Sequence, residues 1–167
     1  LASLAAPKIY MENSIKTMET CFIGTKNMLE LAVKNKSRIL LASSSEIYGN
    51  PLVTPQDEKY LGNVNCFGPR ACYSEGKRIS ETLFFEYKRI FDLDIRIARI
   101  FNSYGPSCSF NDTRVIPSFI RGIIQNSKII INGDGSQTRS FCYVSDTIKG
   151  LISLMESDIE YPINIGN

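Results

Sequence analysis

Residues Arg38 to Ala42 form a short, continuous apolar run without polar alternation, and the run breaks off into Ser43-Ser44-Ser45-Glu46. A half-exposed strand alternates apolar and polar residues, so an unbroken run signals a strand covered on both faces, as in a parallel sheet. Its neighbours agree. Upstream, from Asn13 as an N-cap, Ile15, Met18, Phe22, Leu29 and Val33 recur near helical spacing, with Lys16, Glu19, Lys26 and Lys34 mostly on the other side. Downstream, Tyr73 to Phe91 is helical again, with Leu83, Phe84, Tyr87 and Ile90 on one side, and Ile95, Ile97 and Arg99-Ile100 form the next strand. The order helix, strand, helix, strand predicts an α/β fold with a doubly wound parallel sheet.

After Arg114 the texture changes. A helix (Ile116 to Gln125), a strand (Lys128 to Ile131), a Gly133-Asp134-Gly135 turn, a strand (Arg139 to Tyr143), a helix (Asp146 to Glu156) and a final strand suggest a small mixed α/β lobe. The expected division is 1–113 for the sheet and 114–167 for part of a second lobe. Between Tyr48 and Ala71 runs a long polar connection rich in Gly, Pro and Asn, and loops of more than about 12 residues are usually functional or disordered. Both ends read as cut: Leu1-Ala2-Ser3 begins as if inside an element, and Pro162 to Asn167 reads as a strand running into a turn that stops.

Composition narrows the chemistry. At 167 residues one domain is the prior, and the absence of His removes every Ser-His or Cys-His nucleophile pair and every His-based proton shuttle or metal site. Acid-base work therefore falls to Tyr, Lys, Asp, Glu or Cys. Cys21, Cys66, Cys72, Cys108 and Cys142 are odd in number and form no C-x-x-C pair, so reduced thiols, no metal and a cytoplasmic location are expected. The net charge of +2 is scattered, which argues against nucleic acid, and no apolar run approaches the ~20 residues of a membrane span.

Two segments carry chemistry. In Tyr73-Ser-Glu-Gly-Lys77 the phenol and ammonium project from one helix face. Lowering a Tyr pKa from about 10 to near 7 takes roughly 4 kcal/mol, about what one positive charge at ~4 Å supplies at an effective dielectric near 20. The geometry thus predicts an acidified phenol, although Tyr and Lys four apart also occur by chance on helix surfaces. Ser43-Ser44-Ser45-Glu46 stands where a buried strand ends, the side on which ligands bind in open α/β sheets; the plain alternative is a Ser-rich turn capping nearby amides.

Together, Ser44, Tyr73 and Lys77 resemble the catalytic triad of the extended short-chain dehydrogenase/reductase family, which modifies nucleotide sugars on a Rossmann fold with bound NAD. Ile23-Gly24-Thr25-Lys26-Asn27-Met28-Leu29, Gly68-Pro69-Arg70-Ala71-Cys72-Tyr73, Arg99-Ile100-Phe101-Asn102, Gly135-Ser136-Gln137-Thr138-Arg139 and Tyr143-Val144-Ser145-Asp146 are similar to the UDP-glucuronate decarboxylases within it. The dTDP-glucose 4,6-dehydratases are a close second. They carry Thr-Asp-Glu where this chain has Ser44-Ser45-Glu46, and the alcohol of Ser45 is a far weaker acid for expelling a hydroxide. A nucleotide-sugar 4-epimerase is a third possibility.

The resemblance implies a redox loop in which Tyr73 takes the proton of the sugar 4-hydroxyl as hydride leaves C4, with Ser44 bonding the same oxygen and Lys77 holding the phenolate and the nicotinamide ribose. It further implies catalytic roles for Ser45 and Glu46, a cofactor wall of Leu1, Ser3, Thr20, Ser103 and Arg114, and contacts to a UDP-sugar from Asn102 and Arg139. Arg96 and Arg99 read instead as structural ion-pair partners. A homodimer through helices 13–34 and 73–91 is expected. The family's G-x-x-G-x-x-G turn is absent, so the chain is expected to lack the N-terminal βαβ half and to bind NAD poorly by itself. The reading from a different class is a homologue that kept these motifs as a binding or structural protein.

Overall fold

The structure is a computed structural model that describes residues 3–131 and 133–167. Three parallel strands make the main sheet in the order β1, β2, β5: β1 (Ile39–Ser44), β2 (Ile95–Ile100) and β5 (Ile163–Ile165). Ile39 pairs with Ile95 and Ser44 with Ile100, while Ala98 pairs with Ile163. Both registers run the strands' carboxyl ends to one edge.

The central strand β2 is buried along almost its whole length. Its odd-numbered residues Ile95 and Ile97 pack with Leu41 of β1, Leu29 and Ala32 of α3 (Thr25–Asn35) and Phe84 of α4 (Ala71–Phe91). Burial of such side chains stabilises by about 1.5–3 kcal/mol each. The other face of β2 meets α6 (Val144–Glu156), so the two-sided cover is found at β2, whereas in β1 only Leu41 and Ser43 are fully buried and the rest of the strand is half-buried. Arg96 on that face is 1% exposed; it pairs with Asp94 and donates to the Ser157 carbonyl, as its structural reading expected.

The first long helix departs from expectation. It comprises α1 (Pro7–Glu12), α2 (Ser14–Glu19), a π-helical turn (Thr20–Gly24) and α3. Asn13 caps no amide; its Nδ2 donates back to the Ile9 carbonyl at 3.0 Å, closing α1. In the π-helical turn the Cys21 carbonyl accepts from Ser80 Oγ of α4 at 2.9 Å.

The second half departs more. Residues 128–131 form no strand: among the described residues none pairs with them, and Ile130 and Ile131 are exposed. The predicted strand 139–143 shrinks to β4 (Cys142–Tyr143), paired with β3 (Ser103–Tyr104). The helix α5 (Val115–Ile124) forms where expected. Residues 144–165 include α6 and β5, and β5 pairs in parallel with Ala98–Ile100 at the end of β2.

Candidate active site

At the carboxyl edge of β1 and β2 opens a cleft of about 630 Å³. The place is fixed by topology, since parallel strands direct their carboxyl ends and the loops that follow to the same side. Ser44 ends β1 in extended conformation, and its Oγ accepts from the Glu46 amide at 3.2 Å, folding 45–48 into a 3₁₀ turn. Ser44, Ser45 and Glu46 thereby line the cleft. Across it, the first turn of α4 supplies Tyr73, and Lys77 follows one turn later.

Lys77 is anchored by the end of β1. Its Nζ donates to the Ala42 carbonyl at 2.8 Å and lies 5.7 Å from the centre of the Tyr73 ring. Lys77 is 6% exposed, and a buried charge needs a close hydrogen-bond acceptor, which the end of β1 provides. Burial pushes the Lys77 pKa down, against the opposing charges of Cys21 and Glu81. Burial likewise pushes the Tyr73 phenol above its ordinary value; the Ser44 hydroxyl pulls it down, and the charge of Glu46 adds to the rise. The phenol is thus held above its ordinary value where the spacing predicted it below, with burial the largest cause and the Ser44 hydroxyl acting against it.

The other predicted residues fall into two groups. Ser3, Asn102, Ser103, Arg114 and Arg139 line the same cleft. Ser103 Oγ lies 2.9 Å from Thr147 Oγ1, Asn102 Nδ2 donates to the Ser140 carbonyl at 3.2 Å, and Arg114 pairs with Asp112 at 2.5 Å. Arg139 is exposed, its Nη1 donating to the neighbouring Thr138 carbonyl at 2.6 Å. Thr20 stands apart from the cleft: its hydroxyl donates to the Lys16 carbonyl at 2.7 Å, as a Thr facing its own helix does. Leu1 lies outside the described residues.

Tyr10 and Arg70 also line the cleft, and the sequence reading assigned neither a role. Arg70 Nε donates to Tyr10 Oη and its Nη2 to Glu46 Oε1, each at 2.7 Å. Tyr10 in turn stacks on Tyr73, with ring centroids 4.8 Å apart at 11°. Periodicity could not show this, because the partners lie 60 residues apart. No group of three or more His, Cys, Asp or Glu side chains suited to a metal occurs among the described residues.

Hydroxyls at the end of a buried parallel strand, facing a Tyr and a Lys on the following helix, define a Rossmann-type chain of the extended short-chain dehydrogenase/reductase class. The family described as the NAD dependent epimerase/dehydratase family matches residues 1–166, and the chain belongs to it. It is 54% identical over all 167 residues to UDP-glucuronic acid decarboxylase 6 of Arabidopsis thaliana, and it spans about half the length (49%) of that relative. Among solved structures it resembles a UDP-N-acetylglucosamine 4-epimerase from Methanobrevibacter ruminantium in complex with UDP-N-acetylmuramic acid. There the TM-score is 0.89 and the identity 28%, covering 99% of this chain and 53% of the other. A UDP-glucuronic acid 4-epimerase from Bacillus cereus, in complex with UDP-glucuronic acid and NAD, matches with TM-score 0.79 and 27% identity over 90% and 47% of the two chains.

Proposed function

We propose that the protein is an NAD-dependent nucleotide-sugar lyase that converts UDP-glucuronate to UDP-xylose and CO2 through a 4-keto intermediate. The observation that carries this reading is the convergence of Ser44, Glu46, Tyr73 and Lys77 on one cleft at the carboxyl edge of the sheet. The 54% identity to a UDP-glucuronic acid decarboxylase supports the choice of substrate over the dehydratase and epimerase alternatives. So does Ser45, which offers no strong acid for expelling a hydroxide.

The residues present fit the nicotinamide end of NAD: a buried ammonium stands beside a phenol, with Ser103 and Arg114 along the same wall. Lys77 would hold the ribose and Ser3, Ser103 and Arg114 the remainder of that face. When bound there, NAD would supply reversible hydride acceptance. Tyr73 Oη removes the proton of the sugar 4-hydroxyl, and Ser44 Oγ hydrogen-bonds the same oxygen. The 4-keto group sits β to the C5 carboxylate and accepts the electron pair released as the C5–carboxylate bond breaks. Glu46 moves a proton at C5, and Asn102 and Arg139 hold the nucleotide, the guanidinium fork suiting a diphosphate.

The protein acts in the cytoplasm as a homodimer through helices 13–34 and 73–91. Ile15, Met18, Phe22 and Leu31 support that pairing, each 43–73% exposed on the first of these helices. No helix among the described residues is long and apolar enough to cross a membrane.

Incubation of the full-length protein with UDP-glucuronate and NAD tests the reading: release of CO2 with formation of UDP-xylose is the expected result. A 4-keto-6-deoxy product from dTDP-glucose, or a 4-epimer without CO2, overturns it.

A further inference from the structure

Arg70 joins three segments that are distant in the chain. It precedes α4, its Nη2 reaches Glu46 in the turn after β1, and its Nε reaches Tyr10 in α1. Tyr10 is 1% exposed, so it must satisfy its hydroxyl internally, and Arg70 does so. The nearly parallel stack then sets the Tyr10 ring against Tyr73. A guanidinium can serve two acceptors in fixed directions, whereas a Lys ammonium at the same place offers one compact charge on a flexible stem.

We propose that Arg70 is a positioning residue for Tyr73: by bridging the Glu46 carboxylate and the Tyr10 hydroxyl, it fixes the ring on which Tyr73 stacks and balances the negative charge beside the phenol. The inference rests on the reading of Tyr73 as the base. The groups that bear on Tyr73 are Ser44 of β1, Glu46 of the following turn, Tyr10 of α1, Cys21 of the π-helical turn, Lys77 of α4 itself and Arg114 before α5. Of the cations, Arg114 is engaged by Asp112 and Lys77 by the Ala42 carbonyl, which leaves Arg70 as the counter-charge bonded directly to Glu46.

The test is the ionisation midpoint of Tyr73 in the full-length protein. It is read as the difference in phenolate ultraviolet absorbance between each protein and the same protein carrying Tyr73→Phe. Arg70→Ala leaves the Glu46 charge unbalanced and should raise the midpoint by ~0.5 pH unit or more, while Glu46→Gln leaves Arg70 unbalanced and should lower it. The double variant should return close to wild type, and Arg70→Lys should fall between wild type and Arg70→Ala. Where Arg70→Ala does not fold, Arg70→Met takes its place. A merely structural Arg70 would not give shifts of opposite sign, and any pattern other than this one overturns the proposal. No substrate is used, so a wild-type protein that releases no CO2 overturns the functional reading and leaves this measurement standing.

Discussion

Arg99 near the end of β2 and Glu81 in the middle of α4 form a buried ion pair, Nη2 to Oε2 at 2.8 Å. Ser43 Oγ donates to the same carboxylate at 2.5 Å, and Arg99 Nη1 donates to Tyr48 Oη at 3.0 Å and to the Glu58 carbonyl at 2.9 Å. The pair thus ties strand, helix and the long connection together beneath the cleft floor. Removing one partner of a buried pair strands the other charge, at a cost of about 3–5 kcal/mol. Arg99→Ala and Glu81→Ala should each lower stability by that amount in urea denaturation of the full-length protein. Replacing both by apolar residues of similar volume should cost less than the two single changes summed. Single variants that unfold at the wild-type midpoint would show that the network contributes little.

Tyr73→Phe should leave nucleotide-sugar affinity nearly unchanged and lower kcat by about 10²-fold or more, the range of a lost general base. The ring and its stack on Tyr10 remain, so only the proton transfer is lost. Isothermal titration and product assay on the same preparation separate the two effects. Turnover at the wild-type rate rejects Tyr73 as the base.

Lys77→Met should abolish turnover and yet raise stability at neutral pH. Burial lowers the folded-state pKa of Lys77, so its charged form costs folding free energy at all pH values below that lowered value. As pH rises from there toward the ordinary lysine value, near 10.4, the unfolded chain holds the proton that the folded one has shed, and the cost disappears. The advantage of Lys77→Met over wild type should therefore shrink with rising pH. Thermal unfolding across that window checks the slope, and an advantage that grows with pH contradicts it.

Asp94 offers the opposite sign. Burial works to raise its carboxyl pKa, but hydrogen bonds from Arg38 and Arg96 outweigh it and hold the group below the ordinary value. Its folded pKa is depressed, so the stabilisation is complete above the unfolded value, near 3.9, and is lost as pH falls through the folded one. Asp94→Asn should be less stable than wild type at pH 7, and the gap should close in acid below pH ~4. The carboxylate is 42% exposed, so solvent keeps the effect modest. Acid titration of both proteins by circular dichroism decides it.

Local sequence determined the elements that depend on neighbours along the chain. The apolar runs at β1 and β2, the amphipathic span of α4 and the hydroxyl cluster after β1 were readable because strand burial, complete in β2 and partial in β1, and a 3.6-residue repeat leave traces along the chain. The motif residues Ser44, Tyr73 and Lys77 were readable too. What the sequence could not determine depends on partners far away. Residues 128–131 have strand-like composition but no paired strand among the described residues, and β5 lies in the main sheet through its pairing with the end of β2. The Tyr10–Arg70–Glu46 bridge joins three separate segments. The phenol and ammonium of Tyr73 and Lys77 share a helix face, as the spacing required, but burial and the Ala42 carbonyl decided where each charge is stable, since desolvation is a property of the packed molecule and not of the chain.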